Sequence, residues 1–149
     1  MDFLIIFLAK YLIWVIVAVA LGFLFFSHEW KRLSVFAAIS LTIAYAVGKV
    51  AGMMWYNARP FVVDGTTPLV AHAANNGFPS DHMLMGGTIA SIVFVYNRTL
   101  GIVLWILALA VGAGRVLAGV HHAVDVLASI AISIVVVATV EYALRRRTQ

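Results

Sequence analysis

FLIIFLAKYLIWVIVAVALGFLFF, residues 3–26, holds a single charged side chain, Lys10. A helix crosses the hydrocarbon core of a bilayer with about 20 consecutive apolar residues, so this run is long enough to span. It is too long for the apolar region of a signal peptide, and no small-residue cleavage site accompanies it. The rest of the chain has the same texture: of its 149 residues, 64 % are hydrophobic and 11 % charged, with a mean hydropathy of +1.04. A water-facing domain has roughly 45–50 % apolar and about 25 % charged residues. The solvent of most of this surface is therefore lipid. Cysteine is absent, which excludes disulfides and thiolate metal sites. The formal charge of +4 does not indicate a nucleic-acid surface, because Arg145, Arg146 and Arg147 form one terminal cluster, the placement expected of a topology signal.

Outward from this first run, a polar turn at Ser27–Arg32 leads to a second apolar stretch, about Leu33 to Tyr56. Asn57 to Pro79 is the longest polar segment and contains all three prolines. A third helix is predicted from Ser80 to Tyr96, a fourth from Leu100 to about Leu117, and a fifth from about His122 to Leu144. The expected fold is an all-α integral membrane protein, a compact bundle of about five transmembrane helices. Residues 1–149 form a single domain in this reading, with no room for a soluble one. Five crossings place Lys31, Arg32, Arg98 and the terminal arginines on one side, which the positive-inside rule makes cytoplasmic. Arg59, His82, Arg115 and His121 then gather in one layer on the outer side.

Three segments in that layer carry chemistry. In Gly114-Arg115-Val116-Leu117-Ala118-Gly119-Val120-His121-His122-Ala123-Val124-Asp125, His121 and Asp125 are four apart, the spacing that puts two side chains on one helical face. A carboxylate accepting from an imidazole N–H fixes the tautomer and makes the other nitrogen a better nucleophile. A His–Asp bond that merely caps a helix is the structural alternative. In Gly77-Phe78-Pro79-Ser80-Asp81-His82, Ser80 or Asp81 can cap a helix whose free N–H groups would cradle phosphate. His82 in the first turn is placed to donate a proton to a leaving oxygen; the alternative is a capped helix with an interfacial histidine. In Asn57-Ala58-Arg59-Pro60-Phe61, Arg59 offers a planar fork suited to phosphate oxygens or simply reaches lipid headgroups.

Together these segments resemble the type 2 phosphatidic acid phosphatase superfamily, whose pattern is Lys-x6-Arg-Pro, Pro-Ser-Gly-His and Ser-Arg-x5-His-x3-Asp. Arg59-Pro60, Pro79-Ser80-x-His82 and Arg115-x5-His121-x3-Asp125 match it in order and spacing over about Lys49 to Asp125. The resemblance implies a lipid phosphatase with His121 as phosphohistidine nucleophile, Asp125 orienting it and His82 protonating the leaving group. Arg59, Arg115 and Ser80 hold the phosphoryl oxygens, and the family needs no metal or other cofactor. Phe-Pro-Ser-Asp-His with Arg-Pro-Phe looks most like the bacterial undecaprenyl-diphosphate phosphatase branch. The expected substrate is therefore undecaprenyl diphosphate drawn from the bilayer, with phosphatidylglycerophosphate or phosphatidic acid as alternatives. The expected location is the bacterial inner membrane with the site facing the periplasm or exterior. The sequence specifies no oligomeric state.

The chain departs from the pattern in several places. Gly52 stands where the family has lysine, and Lys49, three residues earlier on nearly the same helical face, is the candidate substitute. Gly114 replaces the serine before Arg115, and Asp81 replaces a glycine. Asp81 either turns away from the phosphate, meets Lys49, or holds His82 protonated; the last is expected, since a nearby carboxylate raises a histidine pKa. The family core usually has six helices, which implies one N-terminal helix fewer here. His28 and His72 read as loop histidines and His122 as interfacial or accessory. Four rival readings differ in class. A transporter predicts ionisable residues in mid-helix. A serine protease needs Ser80 paired with His121. A metal site would gather His72, His82, His121 and His122, and an inactive scaffold would exploit the broken pattern.

Overall fold

The computed structural model describes residues 1–146; Arg147, last of the terminal arginines, lies outside them. Among the described residues six helices form: α1 (Asp2–Phe26), α2 (Trp30–Met54), α3 (Pro60–Asp64), α4 (Asp81–Tyr96), α5 (Arg98–Leu117) and α6 (Ala123–Arg146). Among the described residues no strand forms, only an isolated antiparallel bridge between Ala58 and Asn76. α1, α2, α5 and α6 are long and apolar enough to cross a membrane, and α4 is a shorter apolar helix. Only 22–39 % of the apolar window in each of the four long helices is buried in the protein. Side chains such as Trp14, Ile106, Leu127 and Val135 are exposed on the outside. This is a multi-pass membrane protein.

α4 is the axis of the bundle, packed by α1, α2, α5 and α6. Its residues from Met83 to Val93 are buried apart from Met85, and Gly86 and Gly87 face side chains of α1, α5 and α6 closely. Sixteen residues span about 24 Å at 1.5 Å per residue, short of the ~30 Å hydrocarbon core. Its N-cap, Ser80, is fully buried. A ladder of hydroxyls fixes it to α6: the Ser129 hydroxyl lies 2.9 Å from the Ser80 carbonyl, and the Ser80 N–H donates to the Asp125 carbonyl at 3.2 Å. Lower down, Thr88 and Ser133 continue the same seam.

The helix ends follow local rules. Asn97 caps α5, its side chain accepting from the Leu100 N–H at 3.0 Å. α2 stops at Met54 rather than Tyr56, where the Asn76 side-chain amide donates to the carbonyls of Gly52 (2.7 Å) and Trp55 (3.0 Å). Within α1, Phe7–Tyr11 is wound as a π-helix, a form that occurs as single turns at functional sites. Nothing in residues 3–26 marks that turn. At the opposite end of the bundle, Glu29, Arg32, Tyr96, Glu141 and Arg145 line one cavity of about 240 Å³, so alternate helix ends do gather into two layers.

Candidate active site

His121 and Asp125 meet, but not on a shared helical face. α6 begins at Ala123, so His121 lies in the segment before it. Asp125 sits at the third helical position and turns its carboxylate back, accepting the His122 N–H at 2.9 Å, as a residue at that position does in a capping box. The same oxygen, Oδ2, is 3.3 Å from His121 Nδ1. Both side chains are buried. On the other edge of the ring, Arg59 Nη1 is 3.2 Å from His121 Nε2. A guanidinium can only donate, so Nε2 carries the lone pair and Nδ1 the proton given to Asp125. Burial holds the His121 pKa below its ordinary value; the Asp125 bond works against this, while Arg59 and Arg115 add to it. The ring is therefore neutral at pH 7, with an unprotonated Nε2 facing the cations.

The two arginines are held differently. Arg59 donates to the Val120 carbonyl (2.8 Å), to Asn75 Oδ1 (3.0 Å) and to the Asn76 carbonyl (3.3 Å). Burial lowers its pKa, which Asp125 partly opposes. Arg115, almost wholly buried, donates from Nη1 to the Ala9 carbonyl of the π-helical turn at 3.3 Å. Its Nε and Nη2 have no hydrogen-bond partner, and neither has Ser80 Oγ. Ser80 is the N-cap of α4, yet its hydroxyl makes no capping bond. Buried donors without partners are rare and costly, and three sit on residues that the motif pattern brings to one layer. Ser80 has no hydrogen bond to His121, so the pairing a serine protease requires is not formed.

Lys49 and Asp81 form an ion pair at 3.3 Å, both partly exposed. Of the three options for Asp81, the structure realises the second, and its carboxylate makes no hydrogen bond to His82. The two residues line a polar cavity of about 310 Å³ with Arg59, His72, Asn75 and Asn76. They also line, with His82, the head of an apolar groove of about 480 Å³ walled by Leu41, Tyr45, Leu84 and Met85. Gly52 is explained by contact: a Cβ there would stand 2.8 Å from the Phe78 carbonyl oxygen.

Sequence reasoning missed part of this site. His72, read as a loop residue, is half-buried in the polar cavity with its ring 6.2 Å from that of His121. Burial first, then Arg59 and Arg115, lower its pKa to about 4. Asn57, quoted only as context for Arg59, donates to Asp125 Oδ1 at 2.7 Å. Asn75 and Asn76 hold Arg59. The turn-rich composition of 57–79 was the only signal, and it does not say which amide faces which partner. His122 places Nε2 3.0 Å from the Ala58 carbonyl, and among the described residues no three metal-binding side chains gather in one place.

Known proteins are similar to this chain. The chain is 31 % identical over 127 residues to a Bacillus licheniformis protein named bacitracin transport permease protein BcrC, covering 82 % of this chain and 61 % of that one. It is 29 % identical over 137 residues to the undecaprenyl-diphosphatase BcrC of Bacillus subtilis strain 168, covering 91 % and 71 %. The chain thus spans between 61 % and 71 % of the length of these relatives. The crystal structure of Aquifex aeolicus LpxE superposes with a TM-score of 0.79 at 20 % identity, over 95 % of this chain and 85 % of that one, which shows the shared fold. The profile of one family extends over residues 33–149, across every segment of the site except the α1 turn that holds Arg115, and the chain belongs to that family, the PAP2 superfamily.

Proposed function

We propose that the chain is a metal-independent lipid phosphatase that converts undecaprenyl diphosphate to undecaprenyl phosphate, with residues 1–149 acting as one unit. The observation that carries this reading is the neutral His121, its Nδ1 proton held by Asp125 and its Nε2 lone pair turned toward Arg59. Beside it, Arg115 Nε and Nη2 and Ser80 Oγ lack partners, as donors waiting for phosphoryl oxygens would. His121 Nε2 attacks the terminal phosphorus, and the bond from phosphorus to the bridging oxygen breaks. His82 gives that oxygen its proton, releasing the lipid monophosphate. Water then attacks the phosphohistidine, its proton passing to His82, and inorganic phosphate leaves. Arg59, Arg115 and Ser80 stabilise the charge that develops on the equatorial oxygens.

The apolar groove supports a lipid substrate. It starts at Lys49, Asp81 and His82 and meets, through Leu41 and Met85, a second apolar cavity of about 260 Å³ between α1, α2 and α4. A tail lying there would keep its phosphate at the polar cavity. The names of the B. subtilis relative and of the family point to the same chemistry. The charge distribution supports a bacterial inner-membrane location with the site on the outer face, since Lys31, Arg32 and Arg98 lie at the other end. The transport-permease name of the B. licheniformis protein fits less well, because the buried charges lie at helix ends rather than in mid-helix.

The test is phosphate release by the purified chain in detergent with excess chelator, across undecaprenyl diphosphate, phosphatidylglycerophosphate and phosphatidic acid. Undecaprenyl diphosphate is expected to give the highest kcat/KM. Activity restored only by a divalent cation, or confined to a glycerolipid, would overturn the reading in its mechanism or in its substrate.

A further inference from the structure

The Asp125 carboxylate is fully buried and accepts three hydrogen bonds: His121 Nδ1 and the His122 N–H on Oδ2, and the Asn57 amide on Oδ1. The Asn57 contact, 2.7 Å, is the shortest of the three. Asn57 is itself fixed at both backbone groups. Its N–H donates to Asn76 Oδ1 at 2.9 Å, and its carbonyl accepts the Gly77 N–H at 2.8 Å. The side chain therefore reaches Asp125 from a clamped backbone and has little freedom to leave. Nothing in the motif pattern assigns it a role.

We infer that Asn57 is a positioning residue for the nucleophile, acting through Asp125 by fixing which carboxylate oxygen faces His121 and by limiting how strongly that carboxylate pulls on the imidazole proton. With Oδ1 committed to Asn57, the carboxylate cannot rotate without losing a buried bond, and Oδ2 stays on Nδ1. A carboxylate that accepts a neutral donor is also a weaker base. The proton thus remains on Nδ1 and the lone pair remains on Nε2, the state that attacks phosphorus. The charged and titratable groups that face His121 are Asp125 on α6, Arg59 and His72 from the 57–79 segment, Arg115 on α5 and His82 on α4. All are unchanged by Asn57→Ala, so a change in His121 titration in that variant reports on Asp125.

The catalytic part of this inference rests on the phosphatase reading, so the experiment has a readout independent of turnover. Histidine-labelled full-length protein in detergent is titrated by NMR as wild type, Asn57→Ala and Asn57→Asp, alongside phosphate release from undecaprenyl diphosphate. In Asn57→Ala the freed carboxylate holds imidazolium better, so the His121 pKa rises. Its kcat falls about 10²-fold with KM changed less than about threefold, the pattern of a misplaced reacting group. Asn57→Asp keeps the shape and puts two carboxyls at 2.7 Å, a spacing at which like charges share one proton. Turnover is then lost as that proton leaves, so the alkaline limb falls at a lower pH than in the wild type, where the proton donor His82 sets it. An altered His121 titration in Asn57→Ala, beside a wild-type chain that releases no phosphate, would sink the phosphatase reading and leave the positioning role standing. An unchanged His121 titration in both variants, with kcat loss that follows a lowered melting temperature, would show that Asn57 only holds the loop, and the inference would fall.

Discussion

Replacing Gly114 with serine, the residue that the PAP2 pattern carries before its arginine, moves this chain toward its family and is expected to damage it. A Cβ at 114 would stand 2.7 Å from Leu8 Cβ, 2.8 Å from Ala9 N and 2.9 Å from the Leu8 carbonyl carbon. Non-bonded carbons settle at about 3.5–4.0 Å, so α1 would have to retreat by about 1 Å. Two of the three obstructing atoms are backbone, and no rotamer change relieves them. Overpacking of this kind costs about 1–3 kcal/mol, and at about 2–4 °C per kcal/mol for a chain of this size the melting temperature should fall by about 2–12 °C. The bond from Arg115 to the Ala9 carbonyl, 3.3 Å, lies in the contact that would open, so phosphate release should fall as well. Gly22→Ala is the control: no atom lies within 4 Å of its added Cβ, and helix propensity favours alanine by about 1 kcal/mol. Thermal unfolding in detergent and phosphate release are measured on both. Gly114→Ser melting within about 1 °C of wild type with full activity would refute the close-contact reasoning.

His121→Ala should abolish turnover, and Asp125→Asn should lower kcat by about 10²–10⁴-fold, since loss of the orienting carboxylate strands the wrong tautomer; a trapped phosphoryl label mapping to His82 would reverse the two roles. The acid limb of kcat/KM should lie below 6.5, the ordinary histidine value, because burial, Arg59 and Arg115 hold His121 down. Activity is full where the ring is neutral and is lost as pH falls through the depressed pKa; Arg59→Gln removes one cation and should move the limb upward, and a wild-type limb above pH 7 would contradict the assignment. For topology, a cysteine at the exposed Thr66 should react with an impermeant thiol reagent added outside intact cells. One at Thr99, at the other end of the bundle, should react only after permeabilisation. The opposite labelling would put the site on the cytoplasmic face.

Much of this was legible because membrane folds leave few choices. Backbone polar groups in lipid must be satisfied within the segment, so apolar runs such as 3–26 had to be helices, and alternation of five crossings fixed which motif ends met. The pairing of His121 with Asp125 was also legible from spacing, although the geometry behind it was not: His121 precedes α6, and the carboxylate reaches back to it. The 57–79 segment resisted for a physical reason. Short amides bond their own backbone or a neighbour's with similar ease, and nothing local says that Asn57 reaches Asp125, that Asn75 holds Arg59, or that the Asn76 amide bonds Gly52 and Trp55. His72 entered the site through the same loop. The π-helical turn around Ala9 was hidden because Phe7–Tyr11 holds no proline or glycine to mark a break, only the lone Lys10 of the run.

The departures from the family pattern are better understood as two packages than as defects. Position 52 cannot carry the family's lysine in this backbone, because even a Cβ would press on the Phe78 carbonyl oxygen at 2.8 Å. Lys49 lies three residues back, within about 60° on a helix of 3.6 residues per turn, and lines the same polar cavity. Asp81, taken alone, would oppose a phosphate charge at ~4 Å by about 4 kcal/mol at an effective dielectric of ~20. A helix N-terminus offsets only ~0.3–1 kcal/mol of that. With Lys49 at 3.3 Å the pair has no net charge, and at distances well beyond its own separation its field on a phosphate largely cancels. The exposed pair adds little stability of its own, about 0–1 kcal/mol, so its effect falls on the charge at the throat between polar cavity and apolar groove. Gly114 belongs to the second package: it lets α1 approach α5 closely enough for the π-helical turn to offer Ala9's carbonyl to Arg115. That leaves Nε and Nη2 of Arg115 as the free edge of the fork. The residues that break the pattern thus shape two features of this site, a charge-compensated lysine at its mouth and an arginine held by one end.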